Sequence, residues 1–366
     1  MTPRYSIYLD LVRALAAFVV VIDHAPPLFD MPNAPRWGHQ AVMVFFVLSG
    51  MVISHVASTR ETTARVFLIS RFARLWSVLV PALALTIVCD LVGRAFGTVP
   101  NAYADIHYDL PLIRAGAILL FLSETWVSIQ PFSNGVVWSL CAEFWYYILF
   151  AAWVFVPPGP RRMAAVSVAA LLAGPKALVL LPVWLTGVAL QRSPRLRAST
   201  PIVAMGLFVL GLLAIGWVLA TTSYNGPIAL MRRNVSPWIF DQLAQARVFW
   251  YDWLFGLVVA AHLCGACRVA EYLPLERAQG AIRWCAGISF AAYLFHAPLL
   301  HFFSAFLPRD RGWVAVGLTF AAIALLGPPV ERSKRWWRLT LGRAAERIFP
   351  IGAASAAWVR PQAGRD

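Results

Sequence analysis

The sequence predicts an all-α integral membrane protein, a bundle of about ten transmembrane helices with both termini in the cytoplasm. Apolar residues make up 60% of the 366 positions and charged residues only 13%, whereas about a quarter of the residues in soluble domains are charged. Apolar segments of about 20 residues, long enough to cross a bilayer, recur along the chain. The 16 Trp and 23 Phe residues suit a protein with aromatic side chains at membrane interfaces.

The apolar segments define the predicted spans. They cover residues 8–27, 41–57, 75–95, 113–128, 136–156, 163–190, 201–221, 247–266, 285–307 and 313–330. Segment 113–128 is short and ends in polar residues, so a re-entrant segment is the alternative there. Segment 163–190 is interrupted by Gly174-Pro175-Lys176, which leaves open one kinked helix or two short pieces. The polar stretch 222–246 is predicted to be an external loop.

The distribution of Lys and Arg sets the predicted orientation. Basic residues concentrate in loops 58–74, 191–200 and 267–284 and near the C-terminus. With ten spans and a cytoplasmic N-terminus, all of these regions face the cytoplasm, as the positive-inside rule requires. We therefore divide the chain into a transmembrane domain, residues 1–335, and a basic cytoplasmic tail, residues 336–366. The expected location is the inner (plasma) membrane, with the lipid bilayer as a partner.

The net charge of +14 does not indicate nucleic-acid binding, because the basic residues form no face interleaved with exposed aromatic residues. The five cysteines are an odd number and lie in or beside apolar segments, so no disulfide framework is predicted. Cys264 and Cys267 have the spacing of half a zinc site, but no second pair or suitable His cluster accompanies them. The sequence therefore predicts no metal and no resident cofactor.

Polar residues inside the first span are the clearest functional candidates, since charges within a membrane are costly. Asp10 lies three residues before Arg13, which makes them neighbours on a helix. Arg13 and His24 are eleven residues apart, so they share one face at a separation of about 16 Å. A histidine there can accept a proton from a hydroxyl. The alternative is a structural ion pair with one histidine bonded to a neighbouring helix.

The second and third spans add further candidates. Ser49-Gly50 follows Phe45-Phe46-Val-Leu, and its small residues also suit close helix packing. Arg71 and Arg74 are one turn apart at the start of the third predicted span, where two guanidinium groups can clamp a phosphate. Ordinary positive-inside anchoring is the alternative for both arginines.

The later spans carry a carboxylate and a Tyr–His pair. Glu143 lies inside the fifth span, five residues after Trp138 and four after Ser139, with no cation nearby in sequence. Such a carboxylate is a functional candidate by default. Tyr293 and His296 lie one turn apart in the ninth span. The remaining histidines are expected to be solvated or interfacial; they are His39, His55, His107, His262 and His301.

Taken together, these segments resemble the acyltransferase 3 family of membrane acyltransferases. Arg13 and His24 look like the family's R-x10-H signature, and Arg71 with Arg74 fits its RxxR. The other matching segments are Phe45-Phe46-Val-Leu-Ser49-Gly50, Trp138-Ser139-Leu-x-x-Glu143 and Tyr293-Leu-Phe-His296-Ala-Pro298. Phe144 stands where many members have a second acidic residue, so no carboxylate pair is expected.

The resemblance implies an acyl-CoA donor, most often acetyl-CoA, and a hydroxyl acceptor on a carbohydrate or glycolipid such as exopolysaccharide or lipopolysaccharide O-antigen. Arg71 and Arg74 would then hold the CoA phosphates, and His24 would deprotonate the acceptor. We expect Glu143 to orient or stabilise the His24 imidazole and Arg13 to orient the donor. Contact between His24 and Glu143 strains the ten-span topology, which places them toward opposite faces.

Two other classes of protein fit the composition. A transporter or flippase of a glycan would also carry buried charges near the bilayer midplane, although it would be expected to show repeat symmetry, which the sequence lacks. A structural scaffold would not need His24. Acceptor-dependent release of free CoA discriminates the enzyme from both.

Overall fold

The computed structural model describes residues 2–193, 200–221 and 225–348. Within these ranges the regular structure is helical, apart from one isolated bridge between Glu124 and Ser128. The helices are α1 (Pro3–Asp23), α2 (Gly38–Thr59), α3 (Ala64–Phe96), α4 (Pro111–Leu119), α5 (Val137–Phe155), α6 (Pro160–Arg192), α7 (Pro201–Thr221), α8 (Asn225–Asn234), α9 (Pro237–Leu243), α10 (Phe249–Val269), α11 (Gln279–Gly287), α12 (Ser289–Ser304), α13 (Gly312–Arg332) and α14 (Lys334–Ile348).

Many apolar helices support the predicted multi-pass membrane protein, but their number differs from the prediction. Eight of the described helices are long and apolar enough to cross a bilayer. The bent pair of helices around α11 and α12, which meet at 51°, brings the number to nine if the pair is one span. The third span is longer than predicted, since α3 begins at Ala64 and absorbs much of the predicted loop 58–74.

The predicted fourth span, 113–128, is wrong. α4 is only 9 residues long, and the chain then continues without regular helix to Val136. Phe121 adopts a left-handed conformation with φ 57°, which ends the helical path. Its carbonyl accepts hydrogen bonds from Trp145 Nε1 at 2.9 Å and Cys141 Sγ at 2.8 Å. Side chains of α5 thus satisfy the backbone of a non-helical segment inside the bundle, as an apolar environment requires.

α6 is two helical pieces that run in opposite directions along α5. Arg162, near its start, lies over the Trp153 ring at 5.4 Å, whereas Tyr146, two turns earlier on α5, donates to the Ala177 carbonyl at 2.9 Å. Arg192, at the end of α6, lies over Phe150, which is one turn closer to the C-terminal end of α5 than Tyr146. The chain reverses at Gly174, whose φ of 77° and ψ of 169° are not helical. Of the two predicted alternatives, one kinked helix or two short pieces, the structure has the two pieces.

The second piece of α6 packs so closely against α2 that the backbones of the two helices are in contact. A Cβ on Gly50 would lie 2.1 Å from the Trp184 carbonyl oxygen, and a Cβ on Gly187 would lie 2.0 Å from the Val47 carbonyl oxygen. Only glycine permits this approach. The interpretation of Gly50 as a close-packing residue is confirmed, and the contact fixes the depth at which Ser49 lies in the bundle.

The connections also differ from the prediction in part. The predicted external loop 222–246 contains α8, α9 and a short 3-10 turn at Ala244–Ala246. The start of the basic tail is α14, which packs along α3, with the Trp76 and Trp337 rings 6.1 Å apart. Arg195, Arg197 and residues 349–366 lie outside the described residues.

Candidate active site

The predicted pair on α1 is confirmed. Arg13 Nη1 donates to Asp10 Oδ1 at 3.1 Å, and the two side chains are 27% and 21% exposed. The other charges that act on Arg13 are those of Arg74, Glu331 and Glu143. Helices α1, α3, α5 and α13 therefore bring charged groups to one level of the bundle. We name Asp10, Arg13, Arg74 and Glu331 the charged cluster.

Glu331, which sequence reasoning missed, holds Arg74 in this cluster. Arg74 Nη1 donates to Glu331 Oε2 at 3.2 Å, and the other carboxylate oxygen accepts from the backbone N–H of Ala291 at 3.1 Å. The Arg74 guanidinium lies over the Phe290 ring, 5.2 Å from its centre. Glu331 is only 6% exposed, so this ion pair links α3 to α13 and to the first turn of α12.

Arg71 has a different partner. Its Nη2 donates to both oxygens of Glu61, at 2.8 and 3.0 Å, and the two side chains are 14% and 8% exposed. The two arginines predicted as one phosphate clamp are thus held by two different carboxylates. Arg74 is the more accessible of the two, with 34% of its side chain exposed.

Glu143 lies in a hydrogen-bonded group with Ser49. It accepts hydrogen bonds from the Ser49 hydroxyl and from Tyr147 OH, the latter at 2.6 Å. Trp184 Nε1 donates to Ser49 Oγ at 3.2 Å. α2, α5 and α6 therefore meet at one carboxylate, whose charge also acts on Arg13.

His24 lies at the end of α1, away from this group. Its Nδ1 donates to the Val20 carbonyl at 2.9 Å, and its ring packs edge-on against His296 with centres 4.8 Å apart. Since a carbonyl can only accept, Nδ1 of His24 carries a proton, and in the neutral ring Nε2 has the free lone pair. His24 is half-buried, and its Nε2 makes no hydrogen bond with the described residues.

His296 repeats the same arrangement on α12. Its Nδ1 donates to the Ala292 carbonyl at 3.0 Å, the side chain is fully buried, and Nε2 has no hydrogen-bond partner. We name His24 and His296 the histidine pair. His301 is also in this region; its ring packs against Tyr103 at 5.9 Å.

The expected contact between His24 and Glu143 is absent. The hydrogen bond that the structure gives His24 goes to its own helix, and those of Glu143 go to Ser49 and Tyr147. A backbone carbonyl, and not a carboxylate, therefore selects the His24 tautomer. Because α5 starts inside the bundle and Glu143 is only two turns along it, its side chain meets α2 and not the end of α1.

The remaining predicted residues brace the site. Ser139 Oγ and Tyr293 OH are 2.6 Å apart, and Tyr293 OH also donates to the Val136 carbonyl at 3.0 Å. These bonds join the start of α5 to α12 and so fix the helix that carries His296. Trp138 stacks on the His39 ring with centres 6.1 Å apart.

Two histidines expected to be solvated or interfacial lie inside the bundle and are bonded. His39 Nε2 lies 2.9 Å from Asp252 Oδ1, with the side chains 10% and 1% exposed. His262 Nε2 lies 2.5 Å from Tyr8 OH. The charge of Asp252 within the predicted span 247–266 was the available signal, since a carboxylate inside a span requires a partner.

Comparisons with known proteins agree with this architecture. The family model described as "Acyltransferase domain" matches residues 6–328. The chain is similar to a protein of Rhizobium radiobacter named "Protein 2 in picA locus", with 32% identity over 165 residues, 41% of this chain and 83% of the relative. No solved structure gives a significant match. The family model covers nearly the whole chain, including Asp10, Arg13 and His24. This protein therefore belongs to the acyltransferase 3 family and is a membrane acyltransferase.

Proposed function

We propose that this acyltransferase transfers an acyl group, acetyl being the simplest, from cytoplasmic acyl-CoA to a hydroxyl of a carbohydrate acceptor such as exopolysaccharide or lipopolysaccharide O-antigen. The observation that carries the proposal is the polar stripe of α1. One end belongs to the charged cluster, and the other, about 16 Å away, offers an imidazole with a free nitrogen. This separation suits a donor whose phosphates and reactive thioester lie far apart.

The donor end is the charged cluster. Arg74 is its accessible cation, and charge-assisted hydrogen bonds from a guanidinium to phosphate are strong. Arg71 remains a predicted contributor, and it would have to exchange Glu61 for a phosphate. The acyl-pantetheine arm would extend from this level past Ser49 and Glu143 toward His24.

The chemistry at His24 is general-base catalysis. His24 Nε2 takes the proton of the acceptor hydroxyl as the oxygen attacks the thioester carbonyl. The C–S bond of the resulting tetrahedral species then breaks, and the sulfur leaves with the proton from the imidazolium. The products are the O-acyl ester and CoA with a free thiol, so no oxidant or metal is required. The Val20 carbonyl supports this role by holding the tautomer with Nε2 unprotonated.

Glu143 is a positioning residue in this mechanism. Its carboxylate is one of the charges that act on Arg13, and it accepts hydrogen bonds from the Ser49 and Tyr147 hydroxyls. These groups would line the route between the charged cluster and the histidine pair.

The fold supports a cytoplasmic location for both termini. Without the predicted span 113–128, nine of the ten predicted crossings remain, which is an odd number. Because α6 turns back at Gly174, it would contribute either two crossings or none, and the total would again be even. The basic regions around Arg60, Arg192, Arg268 and α14 would then face the cytoplasm together.

The test is acyl transfer by wild type and His24→Ala in a matched deletion host. Base-labile O-acyl groups on the surface glycans are measured by mass spectrometry and NMR, and free CoA is measured with purified protein, with and without acceptor. Wild-type acylation that disappears in a normally inserted His24→Ala variant supports the proposal. Unchanged acylation in the variant would remove His24 from the reaction, and glycans without acyl groups in either strain would refute the surface-glycan acceptor.

A further inference from the structure

The C-terminal end of α13 and the start of α14 lie directly beside the charged cluster. Ser333, between the two helices, donates to the Val330 carbonyl at 2.7 Å, and its Oγ lies 3.4 Å from the carbonyl oxygen of Ser77, one turn after Arg74 on α3. The packing of Trp337 against Trp76 holds α14 in the same place. Both contacts bring Lys334, an exposed residue, to the side of α3 that carries Arg74.

Lys334 adds a third cation to this region. The charges that act on it are those of Arg74, Glu331 and Arg13. Arg74 contacts the buried carboxylate of Glu331, and the charges of Arg13 and Lys334 interact with it at longer range. Arg13 is paired with Asp10. Arg74 is paired with Glu331, whereas the described residues give Lys334 no carboxylate at ion-pair distance, a setting that favours an additional anion beside it.

Glu331 already occupies an anion position among these cations. One oxygen bonds to Arg74 and the other accepts the Ala291 N–H in the first turn of α12. A backbone N–H at a helix start and a guanidinium are the groups that bind phosphate in proteins. Both Glu331 and Lys334 lie beyond residue 328, where the family match ends.

We propose that Glu331 and Lys334 complete the phosphate site of the acyl-CoA donor, with Lys334 binding a donor phosphate beside Arg74 and Glu331 acting as an internal anion that the donor must displace from Arg74. This inference rests on the acyl-CoA donor proposed above. It makes the α13–α14 junction part of the donor site, so the start of the basic segment acts in substrate binding as well as in membrane orientation.

The proposal gives two substitutions effects of opposite sign. Lys334→Gln removes a binding cation and should weaken CoA binding by roughly fivefold, the size of a partly exposed charge-assisted bond. Glu331→Gln removes the competing charge, although its amide oxygen can still accept the Ala291 N–H. CoA binding should then tighten by about threefold. A purely structural Glu331 would give weaker or unchanged binding.

The experiment is isothermal titration of the full-length protein in lipid nanodiscs with CoA and with dephospho-CoA. Arg335→Gln, which removes an exposed charge from the next position of α14, is the matched control and should bind CoA within about twofold of wild type. Thermal melting of each variant verifies that it is folded, and Lys334→Gln provides the test on an exposed residue if Glu331→Gln melts early.

The outcomes separate the two proposals. Equal effects of Lys334→Gln and Arg335→Gln, or weaker binding by a folded Glu331→Gln, would overturn the phosphate site while leaving the acyl-CoA donor intact. A wild-type protein that binds neither CoA nor dephospho-CoA would overturn both. A loss in Lys334→Gln that is seen with CoA and absent with dephospho-CoA supports the site and assigns Lys334 to the 3′-phosphate.

Discussion

The charged cluster and the histidine pair lie at two levels of the same bundle and are built in opposite ways. Arg13 and Arg74 have carboxylate partners, and the Arg74 bond crosses between helices. His24 and His296 instead bond to carbonyls of their own helices, four residues earlier. One region holds side chains in ion pairs, and the other holds rings oriented by carbonyls of their own helices.

These different bonding partners suit the two regions to different tasks. An ion pair with an accessible guanidinium can release one anion for another at small cost, because both states are charged and bonded. An imidazole whose Nδ1 proton is fixed by a carbonyl presents the same nitrogen in every encounter, as a general base must. Substitutions in the two regions should therefore fail in different ways.

The largest effect is expected from His24→Ala. Turnover should fall by about 100-fold or more, the usual contribution of a general base, while CoA binding stays near the wild-type value. Acceptor-dependent CoA release and titration with CoA measure the two quantities separately. His107→Ala, in the exposed part of the 97–110 connection, is the control. A parallel loss of CoA affinity would break the comparison between the two regions.

Arg74→Ala should show the complementary defect. Loss of the accessible guanidinium is expected to weaken CoA binding by roughly tenfold or more, since a charge-assisted hydrogen bond is removed. Turnover at saturating donor should change little. The KM for acyl-CoA and kcat are compared with those of Arg60→Ala, an exposed arginine on the neighbouring connection. A fall in kcat with an unchanged KM would place Arg74 outside donor binding.

Glu143→Gln should have an intermediate effect, because the Glu143 charge acts on Arg13 of the charged cluster while its hydrogen bonds go to residues outside both regions. The amide can still accept bonds from Ser49 and Tyr147, so only the charge beside Arg13 is lost, and turnover is expected to fall by about fivefold. Ser49→Ala retains the charge and removes one bond, which makes it the paired variant. If Glu143→Gln has wild-type turnover and Ser49→Ala does not, the hydroxyl network matters and the charge does not.

The smallest effect is expected for Arg309→Ala. Arg309 Nε lies 3.3 Å from Asp30 Oδ1, and the side chains are 62% and 66% exposed, so the pair contributes less than about 1 kcal/mol. Thermal melting and turnover should both match wild type. A clear loss of turnover would mean that the connection after α1 positions His24 from outside the bundle.

The local features of these regions could be predicted from the sequence, while most of the partners could not. Asp10, Arg13 and His24 lie on one helix, where spacing alone determines which side chains share a face. Glu331 is 257 residues from Arg74 along the chain, and Asp252 is 213 residues from His39. No periodicity relates such positions, and only the packing of the helices brings them together.

The spans could be predicted where the length of the apolar segment alone determines the helix. The prediction failed where the backbone changes direction. α2 and α7 follow their apolar segments closely. Segment 113–128 is apolar enough to suggest a span, but a left-handed Phe121 ends its helical path. The reversal at Gly174 depends on the close approach of Thr125, whose carbonyl carbon would lie 2.6 Å from a Cβ at this position, and this neighbour comes from another part of the chain.

The reversal at Gly174 has a consequence for sidedness. A straight helix of 33 residues would be about 50 Å long, far more than the roughly 30 Å hydrocarbon core needs. By doubling back, α6 leaves the bilayer on the side where it entered. We infer that the bend at Gly174 keeps the later segments on their sides of the membrane, and that a residue which straightens it would move them, including α12 with His296, to the opposite side. Reporter fusions placed before Pro160 and after Arg192 would give the same signal in the native chain and opposite signals in a straightened one.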